Sequence, residues 1–134
     1  MTIQKQIQQF LASPAFGVVG ASTNRQKYGN KVLRCYVQNG RKVVPVNPNV
    51  PEIEGIGCVA TISDLPPDVV SISMITPPEV TARLVPLAIE KGIQNIWMQP
   101  GAEHPDAVAM CREKGINVIA DGSCVLVIMG YNEH

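Results

Sequence analysis

The sequence predicts a single α/β domain built on a doubly wound, parallel five-stranded sheet. Three observations carry this. Short apolar runs alternate with stretches of helical spacing along the whole chain. Asn39-Gly40, Lys91-Gly92 and Lys114-Gly115 close three of the helical stretches. The chain has 134 residues, 46% apolar and 16% charged, which suits one globular domain and not a disordered chain. A chain of this mass folds to roughly 6,900 Å² of accessible surface from about 21,000 Å².

Ile3, Ile7, Phe10 and Leu11 fall at i, i+4, i+7 and i+8, an amphipathic opening helix. Ala15 to Gly20 reads as a buried strand. Leu33, Tyr36 and Val37 give the stripe of a second helix. Lys42 to Val46 is a second strand, halted by Asn47-Pro48; Pro45 sits awkwardly inside it because it cannot donate to a ladder. Val69 to Ile75 is the third strand. Thr76 then caps a helix with Pro77 at its first position. Val80, Leu84, Leu87 and Ala88 carry this helix to Lys91-Gly92, and Pro86 is expected to kink or split it. Asn95 to Met98 is a fourth strand, His104-Pro105 opens a further helix, and Asn117 to Ala120 is a fifth strand. The apolar tail from Cys124 to Met129 has no assignment. No repeat, low-complexity segment or linker interrupts the chain.

Eleven basic residues balance eleven acidic ones, which argues against a general nucleic-acid binder. No apolar stretch approaches the length that spans a bilayer, and the glutamine-rich start has no export pattern. The four cysteines (Cys35, Cys58, Cys111, Cys124) fit neither a zinc spacing nor a compact disulfide framework. The expected setting is a reducing cytoplasm.

In doubly wound folds ligands sit beyond the carboxyl ends of the strands. The segments there are Gly20–Gly29, Asn47–Pro48, Thr76–Pro78, Gln99–Glu103 and Asp121–Cys124, and they are expected to line one crevice. Gly20, Ala21 and Ser22 follow the first strand, with a helix expected within a few residues. Backbone N–H groups at a helix start favour an anion. Arg25 and Lys27 add charge, and Ser22 and Thr23 add hydroxyls. This reads as a pyrophosphate cradle; a tight turn with solvated charges is the plainer alternative. Against the G-x-G-x-x-G fingerprint the chain reads Gly20, Ser22, Arg25 and keeps only the first glycine. NAD sites place an acid after the second strand, whereas here Arg41 and Lys42 precede Val46-Asn47-Pro48. Basic residues near the adenosine suit a ribose that carries an extra phosphate, as in NADP or coenzyme A.

The runs GVVGAS, KYG, RKVVPVNP, EIEGIGC with SDLP, WMQPGAE, and AD with a nearby cysteine resemble the stand-alone CoA-binding domain family. The resemblance covers about Phe16 to Cys124, and extends to the N-terminal domain of the succinyl-CoA synthetase α subunit. It implies a Rossmann-like fold with coenzyme A across the loop after the first strand. By position, Gly20, Ser22 and Lys27 with its neighbour Tyr28 match the phosphate loop. Arg41 or Lys42 matches the basic position before the second strand. Thr76, Pro77 and Pro78 match a proline-rich turn, and Gln99, Pro100 and Gly101 the loop after the fourth strand. Many relatives read Asp-Arg-Cys where this chain has Asp121-Gly122-Ser123-Cys124. The synthetase's phosphorylated histidine and second domain have no counterpart, so ligase activity is not implied.

No catalytic or metal constellation emerges. His104 reads as a helix cap and His134 is the last residue; neither has a carboxylate at a telling spacing. Asp121 reads as a turn residue, with a functional acid as the alternative. Cys35 and Cys124 read as inert, with exchange against a CoA thiol as the alternative. Trp97 reads as core, with a stacking platform as the alternative. The expectation is a CoA- or acyl-CoA-binding module without catalytic machinery, with a regulatory role, taking a small-molecule ligand and neither nucleic acid nor membrane. A small NADP-dependent oxidoreductase or acyl-CoA-handling enzyme is the first rival, and a module whose protein contacts respond to ligand is the second.

Overall fold

A computed structural model describes residues 1–133. Helix α1 (Ile3–Leu11) leads into β1 (Ala15–Val19), α2 (Tyr28–Gln38) and β2 (Val43–Val46). A small hairpin, β3 (Glu52–Ile53) and β4 (Ile56–Gly57), and one 3-10 turn (Ile62–Asp64) follow. The chain continues through β5 (Val69–Met74), α3 (Pro78–Lys91), β6 (Asn95–Met98), α4 (Pro105–Glu113), β7 (Asn117–Ile119) and α5 (Val125–Met129). The main sheet is five-stranded, all parallel, in the order β2-β1-β5-β6-β7. Strand order reverses between β1 and β5, which makes that junction the topological switch point.

Residues of β1 alternate across the sheet. Phe16 and Val18 face a core shared with α1, α2 and α5, through Phe10, Leu33, Tyr36 and Val125. Ala15 and Val19 face a second core, with Val85 and Ala88 of α3 and Ala107 and Cys111 of α4. Helices therefore cover both faces, and the strands read as continuous apolar runs because neither face meets water. Gly17 is small for a packing reason: a Cβ there would stand 3.0 Å from Ile72 Cγ2. Ser71 and Ser73 are buried polar groups in β5, and both are partnered. Tyr36 Oη and Ser73 Oγ lie 2.6 Å apart, and Asn95 Nδ2 donates to Ser71 Oγ at 2.9 Å. The glutamine-rich opening is an anchor. Gln6 Nε2 donates to Val118 O at 2.9 Å and Asn117 Nδ2 donates back to Gln6 O at 2.9 Å, docking α1 on the β7 edge.

Pro45 fits because its strand orientation spares the ladder. Its carbonyl accepts from Val59 N at 3.0 Å on the outer side of β2, so the missing N–H also lies on that side, away from β1. Val59 forms a single parallel bridge with Val46. That bridge occupies the place of a third strand in a 3-2-1-4-5-6 arrangement, reduced here to one residue.

Several expectations need correction. Helix α2 begins at Tyr28, eight residues after Gly20, and Val37 is half exposed where its stripe predicts burial. The cap of α3 is Pro77, with Pro78 the first helical residue; the Thr76 hydroxyl instead pairs with Thr81 Oγ1 at 2.6 Å. Pro86 does not split α3, which runs unbroken over 14 residues. Pro86 is exposed, so the Ala82 carbonyl four residues earlier loses its partner on the solvent side. The unassigned tail forms α5. Trp97 is core, as its sequence reading has it: fully buried, edge-on to Phe10 at 5.3 Å, with Nε1 donating to Ser123 O at 3.0 Å.

Candidate ligand cleft

Beyond the carboxyl ends of β1 and β5 lies a cleft of about 970 Å³, the size of a cofactor site. Its floor is the switch point itself: Val19 and Gly20 from β1, Ile75 and Thr76 from β5. Ala21, Ser22 and Gln26 to Gly29 form one wall, running into the start of α2. Val46 to Asn49 close the β2 side. Ala60 to Ser63, from the 3-10 turn, and Val80, Leu84 and Leu87, along one face of α3, form an apolar wall opposite.

The floor requires glycine. Gly20 has φ +93°, and a Cβ there would stand 2.2 Å from Ile75 O. A Cβ on Gly29 would stand 2.1 Å from Gly20 O. Backbone thus crosses backbone where the loop meets the sheet and the helix, as the close helix–strand glycine of the dinucleotide fingerprint does. Between them the loop organises itself. Asn24 N donates to Ser22 Oγ at 3.0 Å, Gln26 N to Asn24 Oδ1 at 2.9 Å, and Lys27 N to Asn24 O at 3.0 Å. Lys27 is the N-cap residue of α2 and offers no side-chain cap; the Asn30 amide turns back to Lys27 O at 3.1 Å, which leaves the Tyr28 and Gly29 amides to face a ligand at the cleft wall.

Of the sequence-predicted residues, Gly20, Ala21, Ser22, Lys27, Tyr28, Asn47, Pro48 and Thr76 line the cleft together. Thr23 lies in the same loop but outside the lining, and Pro77 and Pro78 open α3 just beyond it. Arg25 turns away: its guanidinium pairs with Glu54 of the β3–β4 turn. That carboxylate also accepts from Asn30 Nδ2 at 3.1 Å, and these bonds hold it below the usual carboxylate range, Asn30 contributing most.

The two expected 3′-phosphate residues are elsewhere. Arg41 and Lys42 precede β2, so in a parallel sheet they sit at its amino end, opposite the cleft. Arg41 donates to Leu11 O and stacks its guanidinium 5.7 Å from the Phe16 ring centre. Lys42 Nζ pairs with Asp68 at 2.6 Å, just before β5. The loop after β6 also departs from the expected single crevice. Gln99 is buried and its Oε1 accepts from Val125 N at 2.9 Å, anchoring the first turn of α5. Pro100 and Gly101 are exposed, and neither they nor Asp121–Cys124 line the cleft. Asp121 Oδ1 accepts from Ser123 N at 3.0 Å, a turn closed on itself. Cys35 is fully buried and its thiol is pushed up to about 11, chiefly by burial, which makes its thiolate scarce near neutral pH.

Gln26 and Gly29 line the cleft within the expected Gly20–Gly29 segment, whereas the sequence reading missed Asn49, Ala60 to Ser63 and the α3 face of Val80, Leu84 and Leu87. The last had a usable signal, since Val80, Leu84 and Leu87 stand at i, i+4 and i+7 and give α3 an apolar stripe directly after the third strand. Among the described residues, Lys27 is the only charged side chain lining the cleft.

Comparison with known proteins bears on the fold and the family. A conserved hypothetical protein from Pyrococcus furiosus is 38% identical, with a TM-score of 0.81, covering 85% of this chain and 97% of that one. The protein YneT of Bacillus subtilis (strain 168) is 25% identical over 109 residues, 81% of each chain. A dinucleotide-forming acetyl-coenzyme A synthetase from Ca. Korarchaeum cryptofilum shares the fold at a TM-score of 0.71 and 24% identity; the match covers 87% of this chain and 28% of that larger one. The family described as CoA binding domain matches residues 15–129, nearly the full length of the sheet and its helices, and the chain belongs to that family.

Proposed function

We propose that this protein binds coenzyme A or an acyl-CoA in the cleft at the β1–β5 junction and does so without chemistry of its own. The carrying observation is the junction's composition: a glycine-built floor, the open start of α2 and Lys27 on one side, and a largely apolar wall on the other. The diphosphate belongs against the Gly20–Gly29 loop, where amides and one ammonium meet negative oxygens. Adenine or pantetheine suits the wall of Ile62, Val80, Leu84 and Leu87, which offers apolar surface and no competing charge. Among the described residues the lining has no carboxylate, imidazole or thiol, which supports binding as the output and not group transfer. A regulatory role then rests on occupancy, and a cytoplasmic setting goes with the same reading, supported by four free cysteines.

Calorimetric titration of the protein with coenzyme A tests this. Saturable one-site binding, weakened roughly tenfold by Leu84→Glu, is expected, because a buried carboxylate would face the ligand's apolar part. An absence of binding to coenzyme A and to acetyl-CoA would overturn it. Capture of interacting proteins with and without coenzyme A tests the regulatory part; an unchanged set would count against it.

A further inference from the structure

Dinucleotide folds read the adenosine ribose with the side chain just past the second strand. In this protein that position is Asn47, a neutral side chain each of whose polar atoms already holds a partner in the chain. Nδ2 donates to Ala21 O at 3.0 Å, and Oδ1 accepts from Asn49 N at 2.7 Å. The residue that an acid would occupy for a free hydroxyl, or a base for a phosphate, is instead a strut between the β1 and β2 loops. Pro48 beside it has no N–H to offer.

Among the described residues, Lys27 is the one cation that lines the cleft with Asn47. Arg41 and Lys42 lie at the amino end of β2, bound to Leu11 O and Asp68. Arg25 is held by Glu54 and lines a separate pocket of about 250 Å³. Lys27 stands at the start of α2, by the diphosphate's loop. A doubly charged phosphate moved into a site without a paired cation loses hydration that nothing replaces, so it is better left in water.

We propose that the cleft recognises the adenosine diphosphate and pantetheine of its ligand and leaves the ribose 3′-phosphate in solvent, so that it does not distinguish coenzyme A from dephospho-coenzyme A. This rests on the coenzyme A reading above, and its failure is separable from failure of that reading.

Titration of the full chain with coenzyme A, dephospho-coenzyme A and NADH, in wild type and in Lys27→Ala, provides the test. Affinities for the first two within about threefold are expected, with Lys27→Ala weakening both by the same factor, roughly tenfold. NADH, which lacks the pantetheine, is expected to bind more weakly than either. A larger preference for coenzyme A that Lys27→Ala abolishes would assign Lys27 to the terminal phosphate and overturn the inference alone. A larger preference that survives in Lys27→Ala would overturn it too, by revealing another phosphate contact. Binding of neither coenzyme A form would overturn the reading of the cleft and this inference together.

Discussion

Gly29, in the first turn of α2, presses against the carbonyl of Gly20, so close that a Cβ on Gly29 would stand 2.1 Å from that oxygen. The contact fixes how near the start of the helix comes to the end of β1, and so sets the geometry of the wall that is proposed to hold a diphosphate. Gly29→Ala is expected to cost about 1–3 kcal/mol, because backbone must move to admit a methyl group. Gly40→Ala separates the two causes: Gly40 has positive φ (+69°), which Gly29 does not, and nothing lies within 4 Å of its added Cβ. It is expected to cost about 1 kcal/mol, from backbone conformation alone. Urea denaturation of both variants measures this, and a Gly29→Ala variant as stable as wild type would remove the close approach as the reason for Gly29.

Gln99 is a structural residue on this account. Its Oε1 accepts the Val125 amide, and removing it leaves a buried donor unpaired. Gln99→Ala should cost about 1–3 kcal/mol by thermal or urea denaturation while coenzyme A affinity stays unchanged. A large loss of affinity with stability intact would move Gln99 into the ligand site.

Arg41→Ala and Lys42→Ala should both leave coenzyme A affinity unchanged, since both residues lie at the far end of the sheet. Their stabilities should differ. Arg41 loses a bond to Leu11 O and a ring contact, for about 1–2 kcal/mol, whereas exposed Lys42 loses at most about 1 kcal/mol. Weakened binding in either variant, measured by calorimetry, would contradict the placement.

Glu54 ties the β3–β4 turn to Asn30 of α2 and to Arg25 of the loop. Its folded pKa is lowered, chiefly by Asn30, from an ordinary value of 4.5. The stabilisation it gives is therefore complete above that value and is lost as pH falls through the lower folded value. Wild type should be more stable than Glu54→Gln at pH 7, and the gap should close in acid. A gap independent of pH between neutrality and pH about 3 would mean that the carboxylate charge is not what matters.

Cysteine labelling reads the two cores. Cys35 and Cys111 are fully buried, and burial pushes both thiols up to about 11. Iodoacetamide at pH about 8 should modify Cys58 and Cys124, which are partly exposed, well before the other two. Comparable rates at all four, by peptide mass spectrometry, would show that the native packing opens easily.

The parallel sheet was legible because every strand is buried on both faces and reads as an apolar run bounded by turn residues. The switch-point loop was legible in part: chain order puts Gly20 and Thr76 at carboxyl ends of strands on one edge of the sheet, and the strand order β2-β1-β5 makes those ends neighbours. The β3–β4 hairpin was not. Its turn places Glu54 at φ +52°, a conformation sequence rules assign to glycine or asparagine, and the bonds from Asn30 and Arg25 that accompany it are tertiary. Arg41 and Lys42 were misplaced although chain order was enough to place them: they precede β2, and in a parallel sheet a residue before a strand lies at the end opposite the carboxyl-end cleft. Pro86 was misjudged because its effect depends on which side of α3 faces water. The cleft's fourth wall came from Ala60 to Ser63, a segment with no periodic signal, held beside β2 by the lone Val59 bridge.

Amide chemical-shift mapping during a coenzyme A titration tests the central claim most directly, because it reports where the ligand sits. The account predicts that the largest shifts fall at Gly20–Gly29, Asn47, Asn49, Thr61–Ser63 and Thr76, with Arg41, Lys42 and Asp68 unmoved. Shifts concentrated at those last three residues, or saturating coenzyme A that leaves the β1–β5 junction unperturbed, would contradict it.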